Sequence, residues 1–147
     1  MSQNSLNEDH LTAWRLFITT HARLIDQIDK ELNAAHCIPL HWYDVLIELV
    51  ETPEHRLRLH ELAEKVVLSR SGLTRLLDRL EKAGYLHREP DPTDRRGAFA
   101  VLNEAGRNAI REAWPVYAAA IQQYFAHYLN PEEAVLLTTM FSRMSDA

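Results

Sequence analysis

Leu11, Trp14, Ile18, His21, Ile25, Ile28 and Leu32 follow one another at alternating intervals of three and four residues. That spacing lays a single seam along a helix over residues 9–35, with Phe17 and Leu24 widening it. One long helix cannot hide such a stripe by itself in a small domain, so the seam calls for other helices or a second subunit. Pro39 suits the first turn of a second helix, carried through Trp42, Leu46, Leu49 and Val50 and ended before Pro53.

A polar connection, Glu54, His55 and Arg56, leads through Leu57 and Leu59 into a short helix over residues 60–66. Val67 and Leu68 form an apolar turn, and Ser69 is a good N-cap because its hydroxyl can accept a free backbone N–H. The helix that follows, residues 69–83, buries Leu73, Leu76, Leu77 and Leu80 and stops at Gly84, which takes the left-handed conformation without strain. Two helices joined by so tight a turn make a helix-turn-helix. Two short strands are expected next, at 85–89 and 98–102. Between them residues 90–97 carry two prolines with Asp and Gly, which favours a protruding tip. A hairpin after a helix-turn-helix is a wing. Asn103 caps another long helix, in which Pro115 removes one hydrogen bond and predicts a kink. Asn130-Pro131-Glu132-Glu133 then starts the last helix, with an N-cap, proline at N1 and a glutamate able to reach back.

The fold class is therefore mainly α with a small β-wing, a winged helix-turn-helix lobe at about 54–102. Long helices at about 9–35 and 103–145 are left for dimerisation, and the whole of 1–147 is one domain. The length suits a single core, and 46% apolar and 25% charged residues are ordinary for a globular chain. No apolar run is long enough for a membrane span, and the polar, acidic start does not read as a signal peptide. With one cysteine, Cys37, the chain fits a reducing cytoplasm.

Charge changes the picture more than composition does. The net charge of −5 looks wrong for a partner of nucleic acid, but its distribution is uneven. Residues 65–96 hold eight Lys/Arg against five Asp/Glu, a balance of +3, which leaves −8 for the rest. On the helix 69–83, Arg70, Ser71, Thr74, Arg75, Arg79 and Lys82 face away from the leucines. A helix fits the major groove, where residues near its N-terminus reach base edges and Arg can grip guanine through two hydrogen bonds. Arg70, Ser71, Thr74 and Arg75 are thus the candidates for base-edge or nearby phosphate contacts. Arg79 and Lys82 lie further along, for phosphate or for nothing. In the wing, Arg95 and Arg96 put two guanidinium groups on a narrow projection suited to a minor groove. Asp94 would oppose phosphate unless it holds an arginine by a charge-assisted bond.

These residues carry a family likeness. Leu59-His60-Glu61-Leu62-Ala63, the run from Leu68 through Arg70-Ser71-Gly72-Leu73-Thr74-Arg75 to Leu86, and Asp91-Pro92-Thr93-Asp94-Arg95-Arg96-Gly97 together resemble MarR-family regulators. Asn103-Glu104-Ala105-Gly106 after the wing strand strengthens the likeness, although Asn103 and His60 stand where Thr and a small capping residue are commoner. The resemblance implies a homodimer with intertwined terminal helices, usually a repressor, acting on double-stranded DNA at a pseudo-palindromic operator. Arg95 would be the minor-groove arginine, with Asp94 and Arg96 supporting the wing. It also implies a small aromatic or phenolic effector bound between the dimerisation helices and the DNA-binding lobe. Trp14, His21, His41, Trp42, Tyr43 and Asp44 could line that cleft, or Trp14, His21 and Trp42 could be core or interface residues.

Other chemistries find less support. The chain has no Gly-rich phosphate loop, nucleophile elbow or His/Glu metal pair at helical spacing, so no enzyme, cofactor or metal is expected. His36, Cys37 and His41 lack the spacing of a zinc motif, and Cys37 falls between the first two helices, away from the position the peroxide-sensing members use. A winged helix turned to protein binding would be expected to carry acids at 70, 75, 95 or 96; all four are Arg.

Overall fold

The seam of the first helix and the leucines of the helix-turn-helix converge on one core. The computed structural model describes residues 5–146 apart from Val67 and Ser69, and the side chain of Arg70 is likewise outside the description. Helix α1 spans Glu8–Ala34, opened by Asn7, whose side chain accepts the Asp9 N–H. Helix α2 is Leu40–Val50, with Pro39 at the N-cap one position before the expected N1. The start of α2 is tied to α1 because Leu40 N donates to Asp29 Oδ1 at 2.8 Å.

A 3-10 turn over Pro53–His55 leads into a strand that the sequence pattern did not announce, β1 at Arg56–Arg58. Helix α3 (Leu59–Lys65) and helix α4 (Arg70–Lys82) are the two helices of the helix-turn-helix. The expected cap at Ser69 and the turn residue Val67 lie outside the described residues. Gly84, at φ 84°, ends α4 as expected. Gly84 N donates to Glu81 O and Tyr85 N to Leu80 O, the paired bonds of a left-handed helix stop.

Strands β2 (Leu86–Asp91) and β3 (Asp94–Leu102) run much further outward than expected, so the tip is only Pro92-Thr93. Pro90 is tolerated because β2 is an edge strand, and the register shifts between Pro90 and Asp91. The antiparallel sheet has the order β1-β3-β2, with Leu57 opposite Ala100 and His87 opposite Val101. Helix α5 runs unbroken through Pro115 from Glu104 to Tyr124, a turn short of the expected extent, and a 3-10 turn follows at Ala126–Tyr128. Helix α6 is Pro131–Ser145, opened by the expected reciprocal pair. Asn130 Oδ1 accepts Glu133 N at 2.8 Å, and Glu133 Oε1 accepts Asn130 N at 3.0 Å.

Leu32, Val45, Leu46, Leu49, Leu62, Leu77, Leu80 and Leu86 are fully buried where α1, α2, α3, α4 and the sheet meet. Packing of α1 on α5 extends the core toward the termini, reinforced where Tyr124 OH donates to Glu31 Oε1 at 2.6 Å. The outer halves of the terminal helices are another matter. Trp14, Phe17, Ile18, Leu136, Phe141 and Met144 are all exposed. No described helix is long and apolar enough to cross a membrane.

Candidate nucleic-acid interface

Helix α4 is amphipathic by construction. Leu73, Leu76, Leu77 and Leu80 point into the core, which turns Ser71, Thr74, Arg75, Asp78, Arg79 and Lys82 outward. Beside it, β2 and β3 project the wing, with Asp94, Arg95 and Arg96 exposed near its tip. Helix and wing thus present both groups of predicted residues on one lobe.

The local chemistry sorts the charges. Arg88 of β2 donates from Nε to Glu81 Oε1 at 2.9 Å and from Nη2 to Asp78 Oδ1 at 2.6 Å. Asp91 is almost fully buried and accepts from Arg58 Nε at 2.9 Å, Thr93 N at 2.9 Å and Thr93 Oγ1 at 2.7 Å. The Thr93 hydroxyl and N–H, with the Arg58 guanidinium, hold the Asp91 carboxyl down to about 2. Glu89 lies against His87 Nε2 at 2.6 Å. Asp94 Oδ1 accepts the backbone N–H of Arg96 at 3.0 Å, so it fixes the turn through main chain and not through a guanidinium.

Every acid between residues 65 and 96 is therefore engaged within the lobe. Among the described residues, by contrast, the side chains of Arg75, Arg79, Lys82, Arg95 and Arg96 make no ion pair. Five outward cations on α4 and the wing are thus left without an acid partner among those residues, a set suited to a phosphate backbone.

Four residues of this arrangement were not singled out by sequence: Arg58, His87, Arg88 and Asp91. Their partners lie 33, 16, 7 and 33 positions away. Alternation around Leu57 in Arg56-Leu57-Arg58 was the one local signal, too short to stand out. Both guanidinium groups flanking Leu57 lie over the Phe99 ring, at 4.3 and 5.0 Å from its centroid.

The six residues considered for an effector do not form one pocket within the chain. Trp14 and His21 flank Phe17 on the exposed face of α1, at ring separations of 6.1 and 6.4 Å. Trp42 packs edge-on against Tyr85. His41 and Asp44 border a cleft of about 290 Å³ with Lys65 and Leu68. Tyr43 is buried against Tyr117 and reaches a different, more apolar cleft of about 570 Å³ between α2 and α5, walled by Ile47, Ile110, Trp114 and Pro115 with Glu51 and Arg111 at its edge. Burial pushes the Tyr43 and Tyr117 hydroxyls up, keeping both protonated. Cys37 is half-buried at the α1–α2 junction, and no three His, Cys, Asp or Glu cluster as metal ligands among the described residues.

A winged helix-turn-helix with a basic outer face is the class of regulator that this fold and site define. A MarR family model matches residues 38–97. The chain is 33% identical over 119 residues to an HTH-type transcriptional regulator of Bacillus cereus, 81% of this chain and 78% of that protein. It is 33% identical over 86 residues to MhqR, an HTH-type transcriptional regulator of Bacillus subtilis, covering 58% of this chain and 59% of that protein. Among solved structures, Sco3205, a MarR family transcriptional regulator from Streptomyces coelicolor in complex with DNA, superposes with a TM-score of 0.91 at 32% identity, over 99% of this chain and 91% of that one. The chain belongs to the MarR family. Its named relatives are transcriptional regulators, not enzymes.

Proposed function

We propose that the protein is a homodimeric, sequence-specific DNA-binding regulator, a cytoplasmic repressor released by a small aromatic or phenolic effector. The observation that carries the reading is the sorting of charge on α4 and the wing. Each acid between residues 65 and 96 has a partner within the lobe, while Arg75, Arg79, Lys82, Arg95 and Arg96 face outward without an acid partner among the described residues. Helix α4 enters the major groove with Arg70, Ser71, Thr74 and Arg75 at base edges or nearby phosphates, and Arg79 follows toward the backbone. Arg95 enters the minor groove, with Asp94 and Arg96 shaping the wing behind it. Residues 54–102 act as the DNA-binding lobe. The apolar faces left exposed on α1 and α6 are the dimer interface, so two copies of α4 address a pseudo-palindromic site one helical turn apart.

The effector would occupy the cleft between α2 and α5, large enough for a small aromatic acid, with Arg111 available to a carboxylate. Lying between the terminal helices and the lobe, an occupied cleft favours a lobe spacing that no longer matches the operator. Of the six residues named from sequence, Tyr43 belongs to that cleft.

The test is selection of duplexes by the purified protein from sheared genomic DNA and from a random-sequence pool, at salt high enough to suppress non-specific binding. Enrichment of fragments sharing an inverted repeat supports the reading, and the genes beside them point to effector candidates. A folded dimer that enriches nothing at any salt would sink it.

A further inference from the structure

The recognition helix and the wing diverge from a common root, and little packing governs the angle between them. Leu86 of β2 is buried beside α4, but two rungs further out Thr74 and Leu77 of α4 face Asp94 and Ala98 of β3 across an open cleft of about 320 Å³. Arg88 is the rung between. Its side chain lies on the α4 side of β2, since it alternates with His87 and Glu89, which share the opposite face. There it meets two carboxylates a helical turn apart. Glu81 Oε1 receives both Nε, at 2.9 Å, and Nη2, at 2.8 Å, while Asp78 Oδ1 receives Nη2 at 2.6 Å. Glu81 Oε2 also accepts the Arg88 backbone N–H at 3.1 Å, so strand as well as side chain is held. The bonds from Arg88 keep the Glu81 carboxyl below its usual range.

We propose that Arg88, Glu81 and Asp78 form a clamp that sets the angle of the wing to the recognition helix, making all three positioning residues that act on DNA binding without touching DNA. The inference rests on the reading of α4 and the wing as the DNA-binding surface. The outer end of the same strand is secured separately, by Arg58 on Asp91. Strand β2 is thus pinned at two points, to α4 by Arg88 and to β1 by Asp91, and Arg95 is carried by the hairpin beyond.

The clamp reverses an ordinary expectation. Removing an acid from a phosphate-facing helix lowers repulsion and should tighten binding. If the acid holds the wing, its removal weakens binding instead.

The experiment uses the full-length protein and a fluorescein-labelled duplex recovered by selection from a random-sequence pool, with affinity read by anisotropy and folding by thermal unfolding. Wild type, Arg95→Ala, Arg88→Gln, Glu81→Gln and Asp78→Asn are compared well below their melting temperatures. The clamp requires Glu81→Gln and Arg88→Gln each to weaken binding by roughly tenfold, within the range of directly coupled residues. Arg95→Ala must also cost less in the Glu81→Gln background than alone, because the wing is already misplaced. Asp78→Asn, at a more exposed position, gives a smaller loss of the same sign and serves if Glu81→Gln does not fold.

Glu81→Gln or Asp78→Asn binding as tightly as wild type, or more tightly, overturns the clamp. If Arg88→Gln alone weakens binding, Arg88 is a plain phosphate contact. Failure of the underlying reading looks different: Arg95→Ala would then bind like wild type, or no duplex would be selected at all.

Discussion

His87 sits between two acceptors, with Asn103 Oδ1 2.5 Å from its Nδ1 and Glu89 Oε2 2.6 Å from its Nε2. The amide of Asn103 is oriented by its Nδ2, which donates to Gly84 O at 3.1 Å and so leaves Oδ1 for the ring. An imidazole that meets an acceptor at each nitrogen is best satisfied when both carry protons. Glu89 first, and then Asn103, raise its pKa above 6.5, with Glu81 adding to the negative field. A raised value in the folded state means stability that is complete below the ordinary imidazole range and lost as pH climbs through the folded value. The melting temperature should therefore decline as pH rises from about 6.5, and the decline should be shallower in His87→Gln. Parallel curves for the two proteins would show that the ring carries no such linkage. Asp91 obeys the opposite sign. Its contribution stands above the ordinary carboxylate range and fades as pH falls toward about 2, so the two groups mark separate ends of the pH profile.

At the scale of elements, one close approach joins the wing lobe to α5. Gly106, in the first turn of α5, lies under the root of the wing. A methyl group there would meet Tyr85 O and Leu102 Cδ1, and Tyr85 O is already fixed by the Asn103 N–H at 3.0 Å. Gly106→Ala should cost about 1–3 kcal/mol, the usual range for overpacking, read as a lower melting temperature. An unchanged melting temperature would mean that the strand root gives way easily. This contact also shows what local pattern can and cannot carry. The glycine was visible as part of a family likeness, while its cause, a backbone carbonyl 21 positions earlier, was not. Periodicity located α1, α4 and α6 to within a residue or two, because each has a long apolar stripe or a strong cap. It missed β1, which has three residues, and it read Pro90, Asp91 and the segment from Asp94 to Gly97 as turn. The hairpin extends there because Pro90 pairs with Ala98 and Asp91 with Asp94, and because Asp91 finds Arg58 from β1, a contact that no window of neighbouring residues contains. Residues facing the proposed groove were legible by contrast, since an outward Arg on an amphipathic helix is a local property.

At the scale of the whole molecule, α6 poses a question that a single chain does not answer. It is among the best-capped helices of the protein, yet none of its residues is buried. Isolated helices of about this length are marginal in water even with good propensity, so most of the stability of such a helix has to come from packing. Within the chain that packing is slight, although Phe17 of α1 approaches Phe141 to 5.5 Å between ring centroids. Leu136, Val135 and Met144 remain 57–66% exposed, and Trp14 is 55% exposed on the neighbouring helix. A second copy covering this face would supply the missing burial and join two recognition helices in one particle. Truncation after Asn130 separates these roles, because it removes no residue of the core around Leu46, Leu62 and Leu80. The truncated protein should keep a folded wing lobe by circular dichroism but sediment as a monomer. Its affinity for an inverted-repeat duplex should fall by about 10²–10⁴, the usual contribution of linking two binding modules, while its affinity for a single half-site should be nearly unchanged. A truncated protein that still sediments as a dimer would place the interface elsewhere. One that is monomeric yet binds the full repeat undiminished would show that each lobe acts alone, and the exposed face of α1 and α6 would then need another occupant.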